Sequence, residues 1–510
     1  AVPGSTHGYN VIDPHVINPE IGTIDEFKAL VQKLRQKNIQ WIQDIVPNHM
    51  AFSNLNERLM DVFERGPRSD YYHYFDIDWN HPSAELHGKV MVPFLGGELK
   101  DCIQKNEITL SFTEKGFFVN YFDTPYPLSI PAYSYILSQI EDAATREEIG
   151  ALLAKGQSEI SFHEWRSFKA QWINQFHDHH QKHDTLTTVL NKIHKNKDNL
   201  HEVLAKQFYA LTYWKRSEKE INYRRFFTVN ELICLRMEDL SVFKEYHAFL
   251  LNLYEQNLIQ GLRIDHIDGL FDPSRYVKNL RKQFGDACYI IAEKILEAKE
   301  DMPEQWPLQG TSGYEFLSYT NQLLTDKRGA KKLLKFYKDL IPEIPSYQEL
   351  VFRNKRLILE EYMHGEWDNL VHYAHELQLT GPFDVNNVKQ ALALIMLCLP
   401  VYRIYPDKLP VSGNSLTVLN EAFEKARLAG DVVVKEIDHF YNLFTSTHAD
   451  PEQYKNTLLF LKRLMQFTGP LTAKGVEDTT FYVYNPLISH DEVGDAPSTL
   501  GISVKEFHKK

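Results

Sequence analysis

Two carboxylates, Asp265 and Glu293, each close a short apolar run, in GLRIDH and YIIAEK, and a single helix-sized segment joins the two runs. Runs of this kind predict β-strands, with each acid at a strand's C-terminal end. Consecutive strands of an α/β barrel are neighbours about 4.8 Å apart. That is close to the roughly 5 Å carboxyl separation of retaining glycoside chemistry, in which one carboxylate attacks the anomeric carbon while the other protonates the leaving oxygen and later activates the acceptor. The pattern assigns Asp265 as nucleophile and Glu293 as acid/base. Arg263, two residues before Asp265, points to the same side of a strand and is expected to keep that carboxylate ionised. The apolar approach from Tyr289 to Ala292 is expected to raise the pKa of Glu293 and keep it protonated. A third run, IQWIQDIVPNHM, ends in Asp44, Asn48 and His49, with His49 a donor for a sugar hydroxyl. His266 joins these as a binding candidate. A lone acid at a strand end is more often a cap or an ion-pair partner, but three polar strand ends in one chain favour a site.

The elements that would position these groups are legible. GTIDEFKALVQKLRQKN carries a capping box at Thr23 and Glu26, with Phe27, Leu30, Val31 and Leu34 at helical spacing. After the GLRIDH strand, DPSRYVKNLRKQFGD reads as a helix with Asp272 as N-cap, Pro273 in the first turn and Gly285 as the stop. Asp268 and Asp272 read as turn and cap residues. Strand, helix, strand with polar residues at the strand ends predicts an α/β fold, a TIM-type (β/α)8 barrel incomplete in this chain. A doubly wound sheet is the alternative, weakened because no Gly-x-Gly-x-x-Gly loop follows a strand. The expected segments are a barrel part over 1–80, an insertion over 81–250 that is β-rich and then helical, and a carboxylate-bearing barrel part over 251–311. A helical insertion over 312–465 and a barrel return over 466–510 follow.

Composition limits the function classes. Of 510 residues, 43% are hydrophobic and 13% aromatic, enough for a large core and for flat rings that suit sugars. A formal charge of −12 argues against nucleic acid, whose binding depends on phosphate neutralisation. Cys102, Cys234, Cys288 and Cys398 are scattered without a C-x-x-C pair, which fits reduced core thiols and a cytoplasmic location. The longest apolar run, ALALIMLCLPVY, is too short to span a bilayer, so no membrane partner is expected. The HDHHQKH run, His177 to His183, reads as a solvated helix face, and no metal or organic cofactor is assigned. Trp165 and Trp172 read as core. The chain begins Ala1-Val2-Pro3, which suggests a piece of a longer protein.

DIVPNH, GLRIDH and IIAEKI resemble, in order, the first three signature regions of the α-amylase clan. GSTHGYNVIDPHVINPEIG, NYRRFFTVNEL, GTSGYEF and AKGVEDTTFYVYN are similar to its maltooligosyltrehalose synthase branch, and the likeness runs from Pro3 to about His508. The resemblance implies an intramolecular transglucosylation that turns the reducing-end α-1,4 bond of a maltodextrin into an α,α-1,1 bond, with functional coupling to a trehalose-releasing hydrolase. By motif, Asp265 and Glu293 take the catalytic places, and Arg263 and His49 those of their clan counterparts. Tyr9 takes the place of a ring stacked on the sugar beside the cleaved bond, with Asp13 next to it. Lys474, Glu477 and Asp478 are placed near the reducing-end sugars. The clan's third acid has no counterpart here; the His490-Asp491 pair of ISHDEVGD is read as accidental, and the acid is expected beyond Lys510. An α-glucan hydrolase or 4-α-glucanotransferase would use the same two carboxylates. A non-catalytic glucan-binding protein is the alternative of another class.

Overall fold

A computed structural model describes the chain apart from residues 178, 179, 298, 299, 496, 499 and 510, with backbone only at 175–177, 180 and 181. The histidine-rich run therefore lies largely outside the described side chains. The chain divides into two compact units, one of Ala1–Pro14, His49–Arg225 and Val229–Arg236, the other of His15–Asn48, Phe226–Thr228 and Met237–Lys510. This division cuts across the segments drawn from the sequence. Residues 15–48 go with the carboxylate-bearing part, and residues 49–80 with the mixed segment.

In the first unit, alternating apolar residues in ITLSFT and GFFVNY form the strands Ile108–Thr113 and Gly116–Tyr121, an antiparallel hairpin extended by Thr124–Pro127. Val90–Leu95 pairs in parallel with Tyr209–Tyr213, and His49–Ala51 pairs antiparallel with Val229–Cys234. Tyr209–Tyr213 and Val229–Cys234 lie in the stretch expected to be helical. Their β-branched and aromatic content (YALTY, VNELIC) favours a strand, and long-range pairing completes it. The helix His180–Lys195 packs on Ile108–Thr113, and Phe63, Tyr133, Trp165 and Tyr209 are buried in this unit. Trp165 and Trp172 are core, as expected. A buried Glu64 is satisfied by Tyr133 Oη, Trp165 Nε1 and Lys169 Nζ at 2.8, 3.0 and 2.8 Å, so its burial does not leave a bare charge.

The second unit holds one four-stranded parallel sheet in the order Ile42–Ile45, Gly261–Ile264, Tyr289–Ala292 and Gly310–Thr311. Parallel neighbours need a crossover, and the helix Pro273–Phe284 supplies it between the second and third strands. Asp272 caps that helix by accepting from Arg275 N at 3.0 Å, and Gly285 ends it at φ +76°. The helix Ile24–Gln36 starts in the expected capping box of Thr23 and Glu26. Leu240–Glu255 precedes the second strand and is tied to the first, with Tyr246 Oη donating to the Val46 carbonyl at 2.6 Å. Six helices from Tyr347 to Thr472 bury the two strongest apolar stretches, in Val385–Leu397 and Pro451–Thr472, in one continuous core with Phe423, Phe440 and Phe444. The class is α/β with a TIM-barrel-like parallel sheet. Among the described residues no helix is long and apolar enough to cross a membrane.

Candidate active site

Register places the two acids level with each other. Ile264 pairs with Ala292, and each acid is the next residue along its strand. The Glu293 N–H donates to the Ile264 carbonyl at 2.8 Å, and the Asp265 N–H to the Ile45 carbonyl at 2.9 Å, so both backbones are pinned where the strands end. Asp44 pairs with Arg263 across the first two strands, and this explains the next contact. Arg263 Nη1 lies 3.0 Å from Asp44 Oδ1 and 2.6 Å from Asp265 Oδ1, and Nη2 lies 3.2 Å from Glu293 Oε1. One planar guanidinium thus joins three carboxylates, a task for which a fork of fixed donors is suited.

Glu293 receives two further donors. The His266 N–H donates to its Oε2 at 2.8 Å, and Tyr314 Oη reaches its Oε1 at 3.3 Å. The amide is aimed there because His266 adopts a left-handed conformation, φ 47° and ψ 52°. The His266 ring meets Phe226 and Phe227 edge-on at 4.9 and 5.2 Å. Gly269 makes room for the turn, since a Cβ there would lie 2.4 Å from His266 Cδ2 and 2.5 Å from Asn48 Oδ1. Gly269→Ala should therefore push His266 aside and lower turnover about tenfold or more, with a loss of stability of about 1–3 kcal/mol; wild-type turnover and Tm would show that the turn tolerates a methyl.

The surroundings of the two acids depart from the expectation in two respects. Arg263 does contact Asp265, but burial and the nearby Glu293 outweigh it, and the Asp265 carboxyl is pushed up to about 7. The two acids share one low-dielectric site, so their protons belong to the pair. Nor is the surrounding of Glu293 the apolar one expected from the strand, because Arg263, His266 and Tyr314 converge on it from other segments. Behind the pair, Lys294 is fully buried between Asp268 Oδ2 at 3.4 Å and Glu300 Oε1 at 2.9 Å. These carboxylates raise its pKa against the pull of burial. Asp268 also accepts from the Tyr405 hydroxyl, and its carbonyl from Arg403 Nη1 at 2.8 Å, which agrees with its reading as a structural turn residue.

Lys474, Glu477 and Asp478 lie in and just after a π-turn, Ala473–Glu477. Lys474 pairs with Asp478 at 2.6 Å and sits 5.5 Å above the Phe227 ring. Glu477 accepts from the Tyr402 hydroxyl, and burial, with Glu297, Asp478 and Glu293 nearby, pushes its carboxyl up to about 8. Ile295, Tyr402 and Ala473 pack together with Phe227 and Tyr314 against them, which links this turn to the strand end that carries Glu293. In the first unit, Tyr9 is half-buried and stacked on His7 at 5.9 Å, Asp13 is paired with Arg58 Nη1 at 3.1 Å, and His49 opens a buried strand. His490 is buried against Asp495 Oδ2 at 2.7 Å and Thr325 Oγ1 at 2.7 Å, a structural knot.

The α-amylase catalytic-domain family matches residues 1–122. The structure of maltooligosyltrehalose synthase from Arthrobacter ramosus superposes on 99% of the chain with a TM-score of 0.75 and 27% identity. The chain is thus similar along its whole length to solved maltooligosyltrehalose synthases. A solved glycosyltrehalose synthase aligns with all of it at a TM-score of 0.70 and 30% identity. A Mycobacterium tuberculosis protein assigned as a maltooligosyl trehalose synthase is 25% identical over the whole chain. The chain covers 54%, 55% and 54% of these three proteins, about half the length of the synthases it matches.

Sequence reasoning brought Asp44, Arg263, Asp265, His266 and Glu293 to one place, and Lys474, Glu477 and Asp478 to a turn packed beside it. It missed the His266 main-chain donor, Tyr314, Tyr402 and Lys294. GTSGYEF and AEKILE contain Tyr314 and Lys294, but nothing in their spacing says which carboxylate each will reach.

Proposed function

We propose that this chain carries the catalytic pair of an intramolecular transglucosylase, which rebuilds the reducing-end α-1,4 bond of a maltodextrin as an α,α-1,1 bond by retaining double displacement. The observation that supports this most is the arrangement of Asp265 and Glu293 on register-matched neighbouring strands under one Arg263 fork. Neighbouring strand ends suit a covalent intermediate; an inverting enzyme needs room for a water between its acids.

Asp265 attacks the anomeric carbon while Glu293 donates a proton to the leaving oxygen. The freed glucose then turns, and Glu293 takes the proton from its anomeric hydroxyl as that oxygen displaces Asp265. Arg263 balances the negative charge as it moves between the two carboxylates. Lys474, Glu477 and Asp478 hold the freed sugar, with Asp44 and His266 as further sugar contacts; for Tyr9, Asp13 and His49 a sugar-binding role rests on the motif resemblance alone. The strands are completed to a closed (β/α)8 barrel around this pair. No metal or organic cofactor enters any step. The product calls for a hydrolase that releases trehalose, and four buried cysteines that form no disulfide favour the reducing cytoplasm.

The deciding experiment follows maltopentaose by reducing-end assay and anomeric proton NMR. Loss of reducing ends at constant chain length, with a new α,α-1,1 signal, supports the reading; shorter maltodextrins with new reducing ends make the protein a hydrolase, and no turnover despite glucan binding makes it a binding protein. Glu293→Gln should reduce kcat by about 10²- to 10⁴-fold while the calorimetric Kd for maltopentaose changes only a few-fold. Weakened binding with unchanged kcat would instead make Glu293 a sugar-binding residue.

A further inference from the structure

The helix Pro451–Thr472 continues into the π-turn Ala473–Glu477, where the Asp478 N–H donates to the Ala473 carbonyl five residues back at 3.1 Å. Such a turn takes in one residue more than an α-turn, is rare, and persists where its surroundings hold it. Two adjacent threonines do so here. Thr479 Oγ1 donates to the Lys474 carbonyl at 2.7 Å, and Thr480 Oγ1 to the Gly475 carbonyl at 2.7 Å. Thr480 is fully buried, and its hydroxyl also accepts from Asn354 Nδ2 at 3.0 Å. Asn354 comes from the helix Tyr347–Glu361, which approaches closely because residue 475 is glycine. A Cβ there would lie 2.6 Å from Lys355 Cγ and 2.8 Å from Lys355 Cα. On its other side the turn presents Glu477 to Tyr402 and Lys474 to Phe227; Phe227 packs on His266, whose amide holds Glu293.

We propose that Thr480, braced by Asn354, is a positioning residue that fixes this π-turn so that Lys474 and Glu477 face the sugar on the leaving side of the cleaved bond. The proposal rests on the reading of Lys474 and Glu477 as substrate-binding. If the turn relaxed to α-helical geometry, every residue after it would rotate by about 100°, and Glu477 would leave Tyr402. The buried hydroxyl accepts one hydrogen bond and donates another. Serine can do both; valine, of the same shape, can do neither.

Glu477 provides a readout that a general loss of stability would not move. Glu297, Glu293, Asp478, Tyr314, Tyr347 and Tyr402 all face it, and burial among them keeps its carboxyl at about 8. The test uses the full chain as wild type, Thr480→Val, Thr480→Ser and Glu477→Gln. Carboxyl ¹³C NMR follows the titration of Glu477, assigned by its loss in Glu477→Gln, and calorimetry gives maltotriose affinity. Wild type and Thr480→Ser should titrate near the same high pH and bind alike. In Thr480→Val the midpoint should fall toward the ordinary carboxylate range of about 4–5, with affinity reduced about tenfold. Asn354→Ala breaks the same relay from the helix side, and it decides the matter if the valine variant does not fold. A lower Tm with an unchanged Glu477 titration, or a serine variant that behaves like valine, overturns the proposal. If Glu477→Gln binds maltotriose like wild type, the substrate role of Glu477 fails, and the NMR titration still decides whether Thr480 positions the turn.

Discussion

Asp265→Asn is expected to lower kcat on maltooligosaccharides by at least about 10⁴-fold with the fold retained, because a non-nucleophilic amide replaces the carboxylate proposed to attack the anomeric carbon. The same variant should change stability in a way that depends on pH. The ordinary aspartate value is 3.8, and in the folded protein Asp265 rises to about 7 through burial and the proximity of Glu293. The native state thus binds this proton more tightly than the unfolded chain. The contribution is fully present below about pH 4 and is lost as pH rises to about 7, at roughly 1.4 kcal/mol for each unit of pH across that window. Asparagine does not titrate. The difference in Tm between variant and wild type should therefore grow in the variant's favour from pH 4 to pH 7 and level off above. Wild-type turnover would remove Asp265 from the nucleophile's place, and a Tm difference flat in pH would show that the buried pair does not hold the proton.

Arg263→Leu should reduce kcat/KM by about 10³-fold and cost about 3 kcal/mol of stability. Its guanidinium contacts Asp44, Asp265 and Glu293, and leucine takes that shared cation away from three carboxylates on one lip of the sheet. Since Arg263 is the group that pulls the Asp265 carboxyl down, its loss should carry the acidic limb of the pH–rate profile above 7. Arg263→Lys keeps the charge but has no planar fork, so it should recover only part of the rate. A pH–rate profile that keeps its acidic limb in Arg263→Leu would show that the limb belongs to another group.

The parts of the site set by local sequence were legible. Strand ends could be read at Asp44, Asp265 and Glu293 because apolar runs stop there, and the crossover helix declared itself by Asp272, Pro273 and Gly285. What escaped depends on long-range approach. Tyr314 reaches Glu293 across 21 residues of sequence, and Tyr402 reaches Glu477 across 75. The strand Tyr209–Tyr213 escaped because its pairing partner lies more than 100 residues earlier in the chain, and so does the partner His49–Ala51 of Val229–Cys234. The charge state of Asp265 was misjudged for the same reason. The arginine expected to serve Asp265 is shared with Asp44 and Glu293.

The hydrogen bond from the His266 amide to Glu293 has a consequence for how such a site can change over generations. A donor on the main chain is present whatever side chain residue 266 bears, so no single codon change except one to proline deletes it. What can be lost is the left-handed turn that aims it. The orientation of the acid is thus inherited through small neighbours such as Gly269, whose replacement would leave every polar group of the site spelled out in the gene and still misdirect the proton.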